Sequence, residues 1–153
     1  MTKKAPRAPL QIGRSSVPRT VGRIVLGVLL AFAGTTHVTV AREEFQAQVP
    51  AWVPVNDDLV VLGSGAAEIA LGVSLLVVSK NRVLVGLVVA GFFIAIFPGN
   101  ISQYVTRTDA FGLNTDRDRF VRLFFQPLLV LWALWSTGAW TAIRHRLRRR
   151  VRE

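Results

Sequence analysis

Residues 59–79 read LVVLGSGAAEIALGVSLLVVS, twenty-one positions with a single charged side chain, Glu68. Crossing a hydrocarbon core of about 30 Å takes roughly 20 mostly apolar helical residues, so this stretch has the length of a membrane span. It is continuously apolar, without the alternation of a barrel strand, and an open sheet edge is not satisfied in lipid. The reading is a transmembrane helix with a carboxyl group at its centre.

Three further stretches match it. Eighteen residues between Arg23 and Arg42, twenty-four between Arg82 and Arg107 and twenty-one between Arg122 and Arg144 contain no Asp, Glu, Lys or Arg. The chain is 51% apolar and 18% charged, outside the usual soluble balance. The expected fold is all-α: a polytopic four-helix membrane bundle over residues 20–143, with helices near 21–41, 59–79, 83–101 and 123–143. A flexible basic tail, 1–19, precedes it and a basic tail, 144–153, follows.

Lys and Arg flanking membrane spans are retained on the cytoplasmic side. The N-terminal region, the turn at Lys80 and Arg82, and the C-terminal tail hold fourteen of the nineteen basic residues. Loops 42–58 and 102–122 hold seven of the nine acidic ones. Both termini are therefore expected in the cytoplasm and those two loops outside. The basic start followed by IVLGVLLAFA also has the pattern of a signal peptide cleaved after Ala33, but the apolar character continues beyond Ala33 and favours a retained helix.

The net charge of +10 and the run RHRLRRRVR, residues 144–152, raise the question of nucleic acid. A basic segment directly after a span is better explained as a topology signal that binds anionic lipid, so Arg144, Arg146, Arg148, Arg149 and Arg150 are expected at lipid headgroups. No nucleic-acid partner is expected. The absence of cysteine excludes a disulfide, a thiol nucleophile and an iron–sulfur cluster held by the chain's own thiolates.

Membrane helices associate through small residues that let their backbones approach. Gly65, Glu68 and Gly72 share one face of the second helix, which turns Glu68 toward packed helices. Gly27 and Gly34 mark a similar face on the first helix with His37 one turn beyond; Gly86, Ala90, Gly91 and Ala95 are assigned this role on the third. Gln126, Val130, Ala133 and Thr137 form a stripe on the fourth. At 1.5 Å per residue, His37, Asn100 and Gln126 fall within about two turns of the outer surface and Glu68 roughly halfway across. These four polar side chains, one per helix, are expected to line one cavity open to the outside. Pro98 releases the Ile94 carbonyl to accept a hydrogen bond there.

Two roles for Glu68 stay open: a neutral acid that ties helices together by a hydrogen bond, or a group that exchanges protons or binds a ligand. His37 has the same two readings, a hydrated or bonded interfacial imidazole or a proton shuttle. No metal site is assigned, because no HExxH, paired-His or carboxylate-cluster spacing occurs. His145 and His37 lie toward opposite ends, so no bis-histidine haem site is expected.

The order GTTHVTVAREEFQAQVPAWVPVNDDLVVLGSGAAEIALGVSLLVVSKNRVLVGLVVAGFFIAIFPGNI, residues 34–101, followed by RDRFVRLFFQPLLVLWALW, resembles the DoxX family of small bacterial membrane proteins. The resemblance rests on a Gly and His closing the first helix, a VP-W-P loop, SG-AEI-LG on the second helix, a basic turn and FP-N ending the third. It marks His37, Pro50, Trp52, Pro54, Gly65, Glu68, Pro98, Asn100 and Gln126 as positions of the family pattern, with FPGN where FPAN is more usual; Gly34 and Gly72 are expected to be structural. It implies a four-helix bundle in a bacterial cytoplasmic membrane and a role linked to quinone reduction or oxidative stress. The chain has no redox-active group of its own, so electron transfer would require a bound quinone or a membrane redox partner, and an autonomous enzyme is not expected. Two alternatives remain at this point: a scaffold or assembly factor for another membrane protein, and a small transporter or proton conduit.

Overall fold

Pro18 lies in the first turn of α1 (Val17–His37), where a missing N–H costs nothing. In the computed structural model, which describes residues 15–151, five helices follow: α2 (Arg42–Gln46), α3 (Asp57–Val77), α4 (Arg82–Thr106), α5 (Asp116–Thr137) and α6 (Ala139–Arg150). No strand occurs among the described residues. Most of the tail assigned to 1–19, residues 1–14, lies outside the described residues, as does the side chain of Arg149.

Helices α1, α3, α4 and α5 are each long and apolar enough to cross a membrane. Their outer faces leave Phe32, Leu59, Ile94 and Leu128 more than half exposed, a surface that water disfavours and lipid accepts. The chain is a multi-pass membrane protein built as a helical bundle.

The spans associate in two pairs. α1 packs chiefly on α3 and α4 on α5; α1 and α5 join the pairs, whereas α3 and α4 touch little. Glycines set the α1–α3 register. A Cβ added to Gly34 would meet the Gly65 carbonyl at 2.5 Å, and one added to Gly72 would meet the Gly27 carbonyl at 2.6 Å. These are backbone-to-backbone contacts, the close approach that small residues permit. Buried Val61, Gly65, Glu68, Gly72 and Leu75 form one stripe on α3, the face expected from the sequence.

Between the pairs, Leu26, Leu30, Leu75, Val89, Ala90, Phe93 and Ala133 form an apolar core. The start of α1 and the end of α5 lie on the same side of it. There Trp132 Nε1 donates to the Gly22 carbonyl at 3.0 Å, Arg23 donates to the Leu75 carbonyl, and Gly86 leaves room for Thr137. Gly86 and Ala90 face inward as expected, but Gly91 and Ala95 are exposed, and a Cβ on Gly91 would meet nothing within 4 Å. The small-residue face assigned to α4 is corrected accordingly. With few contacts to α3, the helix needs one inward stripe, toward α5 and the core, and Val89 and Phe93 complete it.

Helix ends differ from the apolar limits. α1 stops at His37, short of 41, where Thr35, Thr36 and Thr39 hydroxyls donate to the carbonyls of Ala31, Ala33 and Thr35. Such side-chain bonds compete with helix continuation, and the next residues include β-branched Val38, Thr39 and Val40. α4 continues past Pro98 to Thr106 and ends on left-handed Arg107, with φ 55°. α5 starts at Asp116, well before 123: the Thr115 hydroxyl accepts from the Asp118 N–H at 3.2 Å, and acids in the first turn suit the helix N-terminus. The terminal region read as a tail from 144 is helical. Gly138, at φ 80°, ends α5, and α6 resumes immediately.

Candidate functional site

The end of the bundle opposite the start of α1 is organised by ion pairs. Arg42 and Gln46 of α2 both donate to Asp58 at the start of α3, Gln46 at 2.7 Å. Arg119, buried at the start of α5, donates to Asp109, to Asp116 at 2.8 Å and to the Thr108 carbonyl at 3.3 Å. Arg107 lies 3.6 Å from Asp116. Three of the five basic residues in this region are thereby engaged by its acids, which accounts for the charge segregation visible in the sequence. The Asp58 carboxylate holds the Arg42 guanidinium above its ordinary value.

Within this clasp lies a cavity of about 950 Å³, walled by all four spans. His37, Glu68, Asn100 and Gln126 all line it, so the four side chains expected to share a cavity do share one. Leu26, Leu30, Phe93 and Leu129 form its apolar end toward the core, and Pro50, Trp52, Phe111 and Arg122 line it at the loop end. Ligand sites are typically concave and largely apolar with a few convergent polar groups, and this volume lies within their usual range.

The four polar residues meet as two pairs. On the α1–α3 side, His37 Nδ1 lies 3.1 Å from Glu68 Oε2, with both side chains buried. The antiparallel glycine contacts carry the end of α1 below the start of α3, so the imidazole reaches a carboxyl near the α3 midpoint. Neither atom has another hydrogen-bond partner among the described residues. At that separation a bare ring nitrogen and a carboxylate oxygen would be two acceptors facing each other. One proton must lie between them, on the carboxyl oxygen or on the ring nitrogen.

On the α4–α5 side, Asn100 Nδ2 donates to Gln126 Oε1 at 3.1 Å, and Gln126 Nε2 donates to the Phe93 carbonyl at 2.7 Å. The sequence reading placed a freed carbonyl at Ile94. The carbonyl used is the preceding one, Phe93, because Ile94 projects outward, 61% exposed, while Phe93 faces the core. The two pairs differ in kind. One is ionisable; the other is a neutral amide pair that fixes its own orientation.

Several residues of the site lie in loops and carry no spacing signal. Phe45 of α2 sets its ring edge-on to His37 with centroids 3.4 Å apart, Phe111 lies against Phe45 at 4.5 Å, and the Arg122 guanidinium sits 4.6 Å over Phe111. This stack links the imidazole to the cation at the loop end. Phe111 has a left-handed backbone, φ 57°, held by a hydrogen bond from its N–H to the Glu44 carboxylate. Gln48 Nε2 donates to Gln103 Oε1 at 2.6 Å, and Gln103 Nε2 reaches the Thr108 and Ala110 carbonyls at 3.4 and 3.3 Å. That buried amide chain connects loop 42–58 to the end of α4. An aromatic within a short polar segment, REEFQ, was the only sequence signal for any of this.

Pro50 is buried at the rim, whereas Trp52 is 72% exposed and Pro54 is exposed. Gly34, Gly65 and Gly72 act in packing, whereas a Cβ on Gly99 would meet only the Gln48 carbonyl, at an ordinary contact distance of 3.4 Å. Exposed Arg144, Arg146, Arg148 and Arg150 lie on α6, at the far end from the cavity. Among the described residues, no group of three or more His, Asp or Glu could hold a metal ion.

No curated protein and no solved structure matches this chain. A family described as "Domain of unknown function (DUF8561)" matches residues 26–137, a span that takes in the four cavity side chains, both glycine contacts and every loop of the clasp. The chain belongs to that family, DUF8561.

Proposed function

We propose that this protein is a DoxX-like, redox-associated subunit of a bacterial cytoplasmic membrane, and that its cavity binds the head group of a quinone-class amphiphile. The observation that carries this reading is the buried His37–Glu68 pair, 3.1 Å apart in the wall of a mostly apolar 950 Å³ cavity. Asn100 and Gln126 supply amide groups for a carbonyl-bearing ring, and the apolar end suits an isoprenoid chain. When bound, a quinone would supply the electron-accepting chemistry that the side chains lack. His37 and Glu68 would hold a proton beside it, Asn100 and Gln126 would orient it, and the Phe45–Phe111 stack would limit water.

The distribution of Lys and Arg supports an orientation with both termini in the cytoplasm and the clasp on the opposite side. Membrane lipids and a membrane redox protein are the proposed partners. The apolar core beneath the cavity, with Leu26, Leu75 and Val89 almost fully buried, argues against a through-going conduit. A scaffold for another membrane protein is the alternative, and it predicts a stable partner rather than a retained ligand.

Gentle detergent purification followed by mass spectrometry tests both. Quinone enriched over bulk lipid is expected, with retention about tenfold weaker in Asn100→Leu/Gln126→Leu. Extraction that yields no quinone, together with unchanged thiosulfate and peroxide tolerance in a deletion strain, overturns the proposal.

A further inference from the structure

α6 follows the last span with no intervening loop, yet it does not prolong that span. Gly138 adopts the left-handed conformation that ends a helix, and α6 packs on α4 as well as α5. Ser136, Thr137 and Ala139 are fully buried at the junction, so α6 is anchored where the spans leave the bilayer. At twelve residues, about 18 Å, it is too short to cross a membrane.

Its surface is divided. Trp140, Leu147 and Val151 are exposed by 48, 59 and 88%, and with half-buried Ile143 they recur at i, i+3, i+7 and i+11, a single stripe. Arg144, Arg146, Arg148 and Arg150 are exposed around it, and α6 contains no acidic residue. Water does not suit the stripe, and the hydrocarbon interior does not suit the arginines. The boundary between them suits both, and anionic headgroups complement the charge.

We infer that α6 is an in-plane membrane helix: the Trp140, Ile143 and Leu147 stripe, continued by Val151 just beyond the helix, lies below the headgroups, and the arginines bind anionic lipid at the face of the bilayer where α1 begins and α5 ends. The inference is independent of what the cavity holds. It adds to the basic-tail reading a fixed helix, a buried apolar face and a defined depth.

The chain has no cysteine, so single-cysteine spin labels can be placed along α6 of the full-length protein without background. In nanodiscs of phosphatidylcholine with phosphatidylglycerol, Ile143→Cys and Leu147→Cys are expected to favour oxygen over a water-soluble nickel reagent by roughly threefold more than His145→Cys and Arg148→Cys. Replacing phosphatidylglycerol with phosphatidylcholine, or Arg144, Arg146 and Arg148 with Gln, should shrink that contrast. Equal nickel access at all four positions in the anionic discs overturns the inference. So does exclusion of both reagents from Ile143→Cys and Leu147→Cys, which would mean that protein covers the stripe. A contrast unaffected by lipid charge and by the Arg→Gln variants overturns the anionic-lipid assignment.

Discussion

The two helix pairs solve the same packing problem in different ways. In α1–α3 the backbones touch through Gly34 on Gly65 and Gly27 on Gly72, and the polar contact beside them is ionisable, His37 with Glu68. In α4–α5 the contact is made by side chains, including Ala133, Phe93 and Thr137 over Gly86, and the polar contact is the neutral Asn100–Gln126 pair. The lesson concerns placement. The ionisable pair sits where backbone contact leaves least freedom, so its geometry is fixed by the main chain, whereas the amide pair depends on side chains and on the Phe93 carbonyl.

The sharpest break is steric. Gly34→Leu should wedge α1 from α3 and cost about 3 kcal/mol or more, read as loss of folded protein or a steep fall in thermal midpoint in detergent. Gly91→Leu is its counterpart, with open space around it, and should leave the midpoint nearly unchanged. Equal effects at the two sites would contradict the packing described.

Next comes removal of one polar partner. Glu68→Ala leaves the His37 ring nitrogen buried without its partner and should cost about 1–3 kcal/mol. In a double-mutant cycle under mild denaturant, His37 with Glu68 should couple more strongly than Asn100 with Gln126, for which about 0.6 kcal/mol is typical of polar pairs in membranes. Reversal of that order would show that the amide pair is the better-fixed one. A smaller effect than that of Glu68→Ala is expected at the joint between the pairs: Trp132→Phe removes the bond to the Gly22 carbonyl and should lower stability by about 0.5–1.5 kcal/mol.

Spacing alone revealed the inward face of α3, since Gly65, Glu68 and Gly72 recur at helical period, and it identified the glycines of α1 as their counterparts. It also gathered the four cavity residues. It did not reveal that His37 would reach Glu68, because that depends on register and on the threonine hydroxyls that stop α1. Small residues look alike whether they face a helix, a cavity or open space: Gly91 has nothing within 4 Å of an added Cβ, and Ala95 lines the cavity. The start of α5 was missed because charge was read as the limit of the helix, whereas Asp116 and Asp118 stabilise its first turn. α6 looked like a tail by charge, although arginine and leucine are good helix formers and its apolar residues keep helical period. Phe45, Phe111 and Arg122 come together only through loop conformation, which no periodicity encodes.

The glycine contact between α1 and α3 also has a genetic consequence. When a large side chain invades an ordinary core, a smaller residue opposite can restore the fit. At Gly34 the nearest opposing atom is the backbone carbonyl of Gly65, and at Gly72 the Gly27 carbonyl lies as close as any, so neither facing glycine has a side chain left to shorten. Second-site suppressors of Gly34→Leu should therefore be absent at position 65.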